Sequence, residues 1–137
     1  MVYFNFMKEI MLCMNTIKKD FKQGGATELN HSEALLIWSI YTASGKVYKL
    51  SEILGKDSSQ VYRELKKLEG KDLIKKDSYE TGISYILTDK GREVVEAMKA
   101  SVGEFEKLHP EFCRKAEKVT KDLKEMREEF AEVLNLK

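Results

Sequence analysis

Near the start of the chain, Tyr3, Met7, Ile10, Met14, Ile17 and Phe21 recur at alternating steps of four and three. That spacing draws one apolar face on a helix, and Gly24-Gly25 is a natural stop for it. Leu29-Asn30-His31-Ser32-Glu33 opens a second helix. Asn30 caps it while Glu33 reaches back, a capping box ahead of an apolar run through Trp38 and Tyr41. Gly45 is placed to close that helix. Leu50 to Leu54 predicts a short third helix, followed by the turn Gly55-Lys56-Asp57. Asp57 and Gln60 make a second capping pair. The fourth helix buries Val61, Leu65 and Leu68, leaves Ser59, Gln60, Arg63, Lys66 and Lys67 on its other faces, and ends over Gly70 to Asp72.

The period then changes from helical to alternating. Leu73 to Asp77 and Ile83 to Leu87 predict two short strands, with Ile83, Tyr85 and Leu87 on one face and Ser78 to Gly82 as the turn. Thr88-Asp89 caps a fifth helix with a stripe of Val94, Val95, Met98, Val102, Phe105 and Leu108. His109-Pro110 breaks it, since proline belongs in the first turn of a new helix. The last helix carries Phe112, Ala116, Val119, Leu123, Met126, Phe130 and Val133, a seam spaced like a coiled coil. The fold class expected is therefore mainly α with a small β-hairpin wing: a winged helix-turn-helix flanked by N- and C-terminal helices.

Composition narrows the function. A chain of 137 residues has room for one domain with a hydrophobic core. A single proline and eight glycines argue against long loops and an all-β architecture. The formal net charge of +1 is far from that of a globally basic nucleic-acid binder, so a DNA partner has to be met by a local patch. Residues 45–92 hold eleven basic and eight acidic side chains, while residues 93–137 hold nine and eleven. The positive balance falls on the segment with the hairpin.

Cys13 and Cys113 stand apart, without the spacing of a zinc motif or a disulfide scaffold, which fits a reducing, cytoplasmic setting. Lys8 and Glu9 interrupt the apolar start, and no small-residue cleavage site follows, so no signal peptide is read. No run of residues is long and apolar enough to span a membrane. Paired catalytic groups, a glycine-rich phosphate loop and a metal-spaced cluster are all missing. The expectation is a protein that is not an enzyme, with no metal and no cofactor.

Two short helices around a tight turn, followed by a hairpin, suit DNA. A helix fits the major groove and a preceding helix braces it. Residues 50–54 are the expected brace and residues 58–69 the recognition helix. Arg63 is the first candidate for a base or phosphate, since its fork can pair with guanine for about 1–3 kcal/mol of discrimination. Ser59 and Gln60 sit at the helix start, where free amides favour phosphate, although capping explains them equally. Tyr62 is a candidate for a thymine methyl or a sugar, with packing as the alternative. Lys66, Lys67, Lys75 and Lys76 are candidate phosphate partners, with a solvated face as the alternative.

These segments resemble the MarR family of regulators. The likeness rests on Leu50-Ser51-Glu52-Ile53-Leu54, on Val61-Tyr62-Arg63-Glu64-Leu65-Lys66-Lys67-Leu68-Glu69 and on Leu87-Thr88-Asp89-Lys90-Gly91-Arg92, and runs from Leu29 to about Met98. It implies a regulator of double-stranded DNA on a roughly palindromic site, acting as a homodimer through its terminal helices. The corresponding layout is 1–28 for the N-terminal dimerisation helix, 29–92 for the DNA-binding lobe and 93–137 for the C-terminal dimerisation helices. The interface residues expected are Met7, Ile10, Met14, Ile17, Phe112, Val119, Leu123, Met126 and Phe130.

A small-molecule effector between the dimer helices and the DNA-binding lobe is a further partner the family suggests, against a plain core. Cys13 is a redox candidate on the same ground, against a small buried hydrophobe. Two positions depart from the family pattern: Asp72 stands where a glycine precedes the first wing strand, and Ser78-Tyr79-Glu80-Thr81-Gly82 carries no arginine. The arginine-free wing and modest charge motivate a competing reading, a winged helix used for protein–protein assembly without DNA.

Overall fold

Asn30 starts the second helix as its pattern predicts: the Glu33 N–H donates to Asn30 Oδ1 at 2.9 Å, and the Asn30 N–H donates to Glu33 Oε1 at 3.2 Å. In the computed structural model, residues 1–23, 29–77 and 82–134 are described, except for the side chains of 18–23. The Gly24-Gly25 stop, the Phe21 side chain and the wing-turn residues Ser78 to Thr81 lie outside the described residues. The elements run α1 Val2–Gln23, α2 His31–Thr42, α3 Val47–Leu54, α4 Ser58–Gly70, β1 Ile74–Lys76, β2 Tyr85–Leu87, α5 Asp89–Leu108 and α6 Pro110–Val133.

The chain divides into two compact units, Met1–Met98 and Lys99–Lys137. In the first, Leu36 and Ile37 of α2, Leu50 of α3, and Val61, Leu65 and Leu68 of α4 are fully buried. Ile74, Tyr85 and Val95 close the same core. Burial of this kind is worth about 1.5–3 kcal/mol per large aliphatic side chain, so packing and not intrinsic propensity holds the eight-residue α3 in place. In the second unit, α6 begins at His109-Pro110 as the break predicts, with proline in the first turn. Phe105 of α5 meets Phe112 of α6 edge-on at 5.5 Å, and α6 buries none of its residues.

Four local expectations need correcting. Gly45 does not close α2, which ends at Thr42 with Ala43 as its cap. Gly45 instead lies against β2, where a Cβ would overlap the Tyr85 carbonyl oxygen. α3 starts one turn early, at Val47, because Val47 itself packs in the core. Asp57 occupies the N-cap of α4 with an extended backbone, but its side chain makes no cap hydrogen bond. Both strands are shorter than the pattern suggests, and Ile83 is 54% exposed, because the inward alternation begins only at Tyr85.

Candidate nucleic-acid interface

The turn between α3 and α4 is set by Gly55, whose φ of 61° is the left-handed conformation that glycine adopts without a Cβ penalty. The Lys56 N–H donates back to Ser51 O at 3.2 Å, and Ser51 Oγ donates to Lys56 O at 2.6 Å. The turn is thus closed from both sides. Lys56 Nζ then reaches Ser32 Oγ at 2.9 Å and Glu64 Oε1 at 3.0 Å, tying the α3–α4 turn and the middle of α4 to the start of α2.

The far end of α4 is tied to the same place. Lys71 Nζ meets Glu33 Oε2 at 2.9 Å. Burial alone raises the pKa of Glu33. The hydrogen bonds from Lys71 and Asn30, with the charges of Lys71 and Lys67, outweigh it and hold the carboxyl below its ordinary value. Past Lys71 the chain turns through Asp72, a non-glycine residue at φ 62°. Aspartate is among the few residues that tolerate this conformation, so the turn ahead of the wing forms without the expected glycine. The Leu73 N–H returns to Leu68 O at 3.1 Å.

The wing is antiparallel, pairing Ile74 with Leu87, Lys75 with Ile86 and Lys76 with Tyr85. Its base is fastened by Thr88, whose Oγ1 donates to Asp72 O at 2.6 Å and accepts from the Gly91 N–H at 3.0 Å. A third segment joins the other edge: the Tyr85 N–H donates to Gly45 O at 2.9 Å, and the Val47 N–H to Ile83 O at 3.2 Å. The sequence pattern shows only two strands here, because a single bridged residue, Lys46 opposite Ser84, has no alternation to reveal it.

On this frame Ser59, Gln60, Arg63, Lys66 and Lys67 stand exposed on α4, and Tyr62 is half-buried. Gln60, Arg63 and Lys67 share one face by their spacing of three and four. Arg63, Lys75 and Lys76 have no ion-pair partner among the described residues. Lys66 is engaged: its Nζ lies 3.1 Å from Glu69 Oε1 and 5.3 Å from the centre of the Tyr62 ring. Hydrogen bonding to Glu69, then to Tyr62, raises its pKa. Lys75 and Lys76 are both exposed on β1, Lys75 on the outward face with Ile86 and Lys76 on the face of Tyr85. The braces Lys56, Glu64 and Lys71 had no local signal, because their partners lie on another element.

All but one of the expected interface residues are also exposed within their units. Met7, Met14 and Ile17 of α1 are exposed and Ile10 half-buried, while Phe112, Val119, Leu123, Met126 and Phe130 are exposed on α6. Cys13 is exposed, and Cys113 is half-buried with its thiol pKa raised, first by burial. The first unit holds a groove of about 460 Å³ lined by Ile40, Tyr41, Tyr85, Arg92, Val95 and Glu96 among others. Among the described residues no helix is long and apolar enough to cross a membrane.

Solved structures with this architecture are numerous. A MarR/EmrR family transcriptional regulator from Acinetobacter sp. ADP1 superposes with a TM-score of 0.73 at 23% identity, covering 96% of this chain and 99% of that one. The fold is that of the MarR family. A MarR family regulator from Neisseria meningitidis matches this MarR fold with a TM-score of 0.72 at 20% identity, over 96% of this chain and 94% of its own. A MepR mutant from S. aureus, bound to an oligodeoxyribonucleotide, matches at 0.53 and 18% identity, over 95% and 99% of the two chains. No protein-family model and no curated protein matches the sequence. The MarR fold therefore enters on shape, with the helix-turn-helix, wing and flanking helices in the order the sequence predicts.

Proposed function

We propose that this protein is a sequence-specific, double-stranded DNA-binding transcriptional regulator that acts as a homodimer, with residues 58–69 of α4 in the major groove. The observation that carries the reading is the division of α4. Its Val61, Leu65 and Leu68 are fully buried, its middle and its C-terminal end are tied to α2 through Glu64 and Lys71, and Gln60, Arg63 and Lys67 face outward. A recognition helix needs this combination, a rigid mount behind and an uncommitted guanidinium in front. Ser59 and Gln60 offer first-turn groups to a phosphate, since Asp57 makes no side-chain cap there. Lys67, Lys75 and Lys76 supply further phosphate contacts, and Tyr62 meets a sugar or methyl. The fold shared with a protein bound to an oligodeoxyribonucleotide supports the assignment.

Residues 1–28 and 93–137 form the dimerisation helices in this reading, around the 29–92 lobe. Met7, Ile10, Met14 and Ile17 of α1, with Phe112, Val119, Leu123, Met126 and Phe130 of α6, are the interface. Apolar stripes of this length mark a protein contact. Two copies then present two α4 helices to two half-sites. The groove beside Tyr41 and Arg92 is the site for a small-molecule effector.

One observation favours protein–protein assembly instead: Lys56, Lys66 and Lys71 spend their charge on Glu64, Glu69 and Glu33. Salt separates the two readings. Phosphate contacts release counterions, so affinity for a duplex selected by the protein from a random library falls steeply as salt rises. Failure to select any duplex sinks the DNA reading.

A further inference from the structure

Only Lys71, Asp72 and Leu73 join the end of α4 at Gly70 to the start of β1 at Ile74. The carbonyl of each is taken by the segment that opens α5. Lys90 Nζ donates to Lys71 O at 3.0 Å, Thr88 Oγ1 to Asp72 O at 2.6 Å, and the Thr88 N–H to Leu73 O at 3.1 Å. Gly91 completes the grip, being buried where a Cβ would overlap the Leu73 carbonyl oxygen.

The link is also bent. Asp72 is held at φ 62°, a conformation that a non-glycine residue keeps only where its surroundings fix it. The grip of Thr88 on the Asp72 carbonyl is such a fixture. On one side of the link lies the Gln60–Arg63–Lys67 face of α4, and on the other stand the exposed Lys75 and Lys76 of β1. The geometry of these three residues therefore sets where the wing lysines stand relative to that face.

Resting on the DNA-binding reading, we propose that Thr88 and Lys90 are positioning residues for recognition: by gripping the α4–β1 link they keep the wing lysines in register with the α4 face, so that one DNA site meets both at once. A wing loose on its link has to be ordered on binding, at a cost in affinity. Thr88 acts through the wing and touches no DNA itself. It also accepts from the Gly91 N–H at 3.0 Å, an ordinary helix cap. A cap alone supports the fold and leaves the wing's share of binding untouched, which separates the two roles.

The experiment is a double-mutant cycle between the link and the wing, read by anisotropy across a salt series with a labelled duplex selected by the wild type. Thr88→Val is expected to weaken binding about three- to tenfold, the scale of one hydrogen bond. Its salt slope is expected to fall toward that of the Lys75→Ala, Lys76→Ala double variant, itself about two ions below wild type. Added to that wing variant, Thr88→Val is expected to cost nothing further; added to Arg63→Ala, it is expected to cost its full factor. Thr88→Ser, which keeps the hydroxyl, is expected to restore affinity and slope. Lys90→Met, a change at an exposed position, is expected to repeat the pattern even where Thr88→Val fails to fold. Wild-type affinity in Thr88→Val and Lys90→Met, a salt slope that does not move in Thr88→Val, losses that add to those of the wing variant, or a wing variant that binds as wild type each overturn the inference alone. A wild type that selects no duplex overturns the DNA reading and the inference with it.

Discussion

The Lys71 ammonium stands 2.9 Å from the Glu33 carboxylate and joins the end of α4 to the first turn of α2. Glu33 also accepts from the Asn30 N–H, so one buried carboxylate serves the helix cap and the mount of α4 together. Ser32 of α2 meets both Lys56, in the turn before α4, and Glu64 in the middle of α4, so the helix is held to α2 at a second point.

A pH dependence follows from Glu33. Its folded pKa is lowered from the ordinary carboxylate value of 4.5, so its contribution to stability is present above that value and is lost as pH falls through the folded pKa. Glu33→Ala is expected to cost about 1–2 kcal/mol at neutral pH, through the cap and the hydrogen bond to Lys71. Urea melts should show the gap to wild type closing below pH 4.5. A gap that persists unchanged in acid contradicts the assignment.

Gly45 makes a sharper prediction. Gly45→Ala forces a Cβ into the Tyr85 carbonyl and is expected to destabilise by about 2 kcal/mol or more, since the obstacle is backbone. Gly70→Ala, with nothing within 4 Å of its added carbon, is expected to be neutral or to stabilise by up to about 1 kcal/mol. Equal melting midpoints for the two variants refute this account of the wing edge.

The α6 stripe predicts its own consequence. Leu123→Glu and Met126→Glu place charge in the proposed dimer seam at positions that are exposed in the single chain. Light scattering is expected to give twice the 15.8 kDa chain mass for wild type and the single chain mass for the double variant. A wild-type monomer at micromolar concentration removes the dimer.

Much of this architecture was legible because its signals are local. The capping box of Asn30 and Glu33, the His109-Pro110 break and the stripes of α4, α5 and α6 depend on neighbours a few residues away. What escaped depends on distant partners. Gly45 looks like a helix stop until β2 lies beside it, and Asp57 looks like a side-chain cap until the backbone alone fills that place. Arg63 and Lys66 are indistinguishable in sequence as exposed cations, yet Lys66 faces Glu69 and Tyr62 whereas Arg63 faces solvent. Lys56 and Lys71 carried no signal at all, because their carboxylate partners are eight and 38 positions away.

The central claim is that the Gln60–Arg63–Lys67 face of α4 reads DNA. It is tested most directly by anisotropy with a duplex selected by the wild type, comparing wild type, Arg63→Ala and Lys67→Ala across a salt series. Arg63→Ala is expected to lose about 1–3 kcal/mol on the selected duplex and to discriminate less against single-base changes. Lys67→Ala is expected to weaken selected and unselected duplexes alike and to reduce the salt slope by about one ion. Affinity and salt slope unchanged in both variants, with wild type still binding, would place the DNA contact elsewhere and contradict the account.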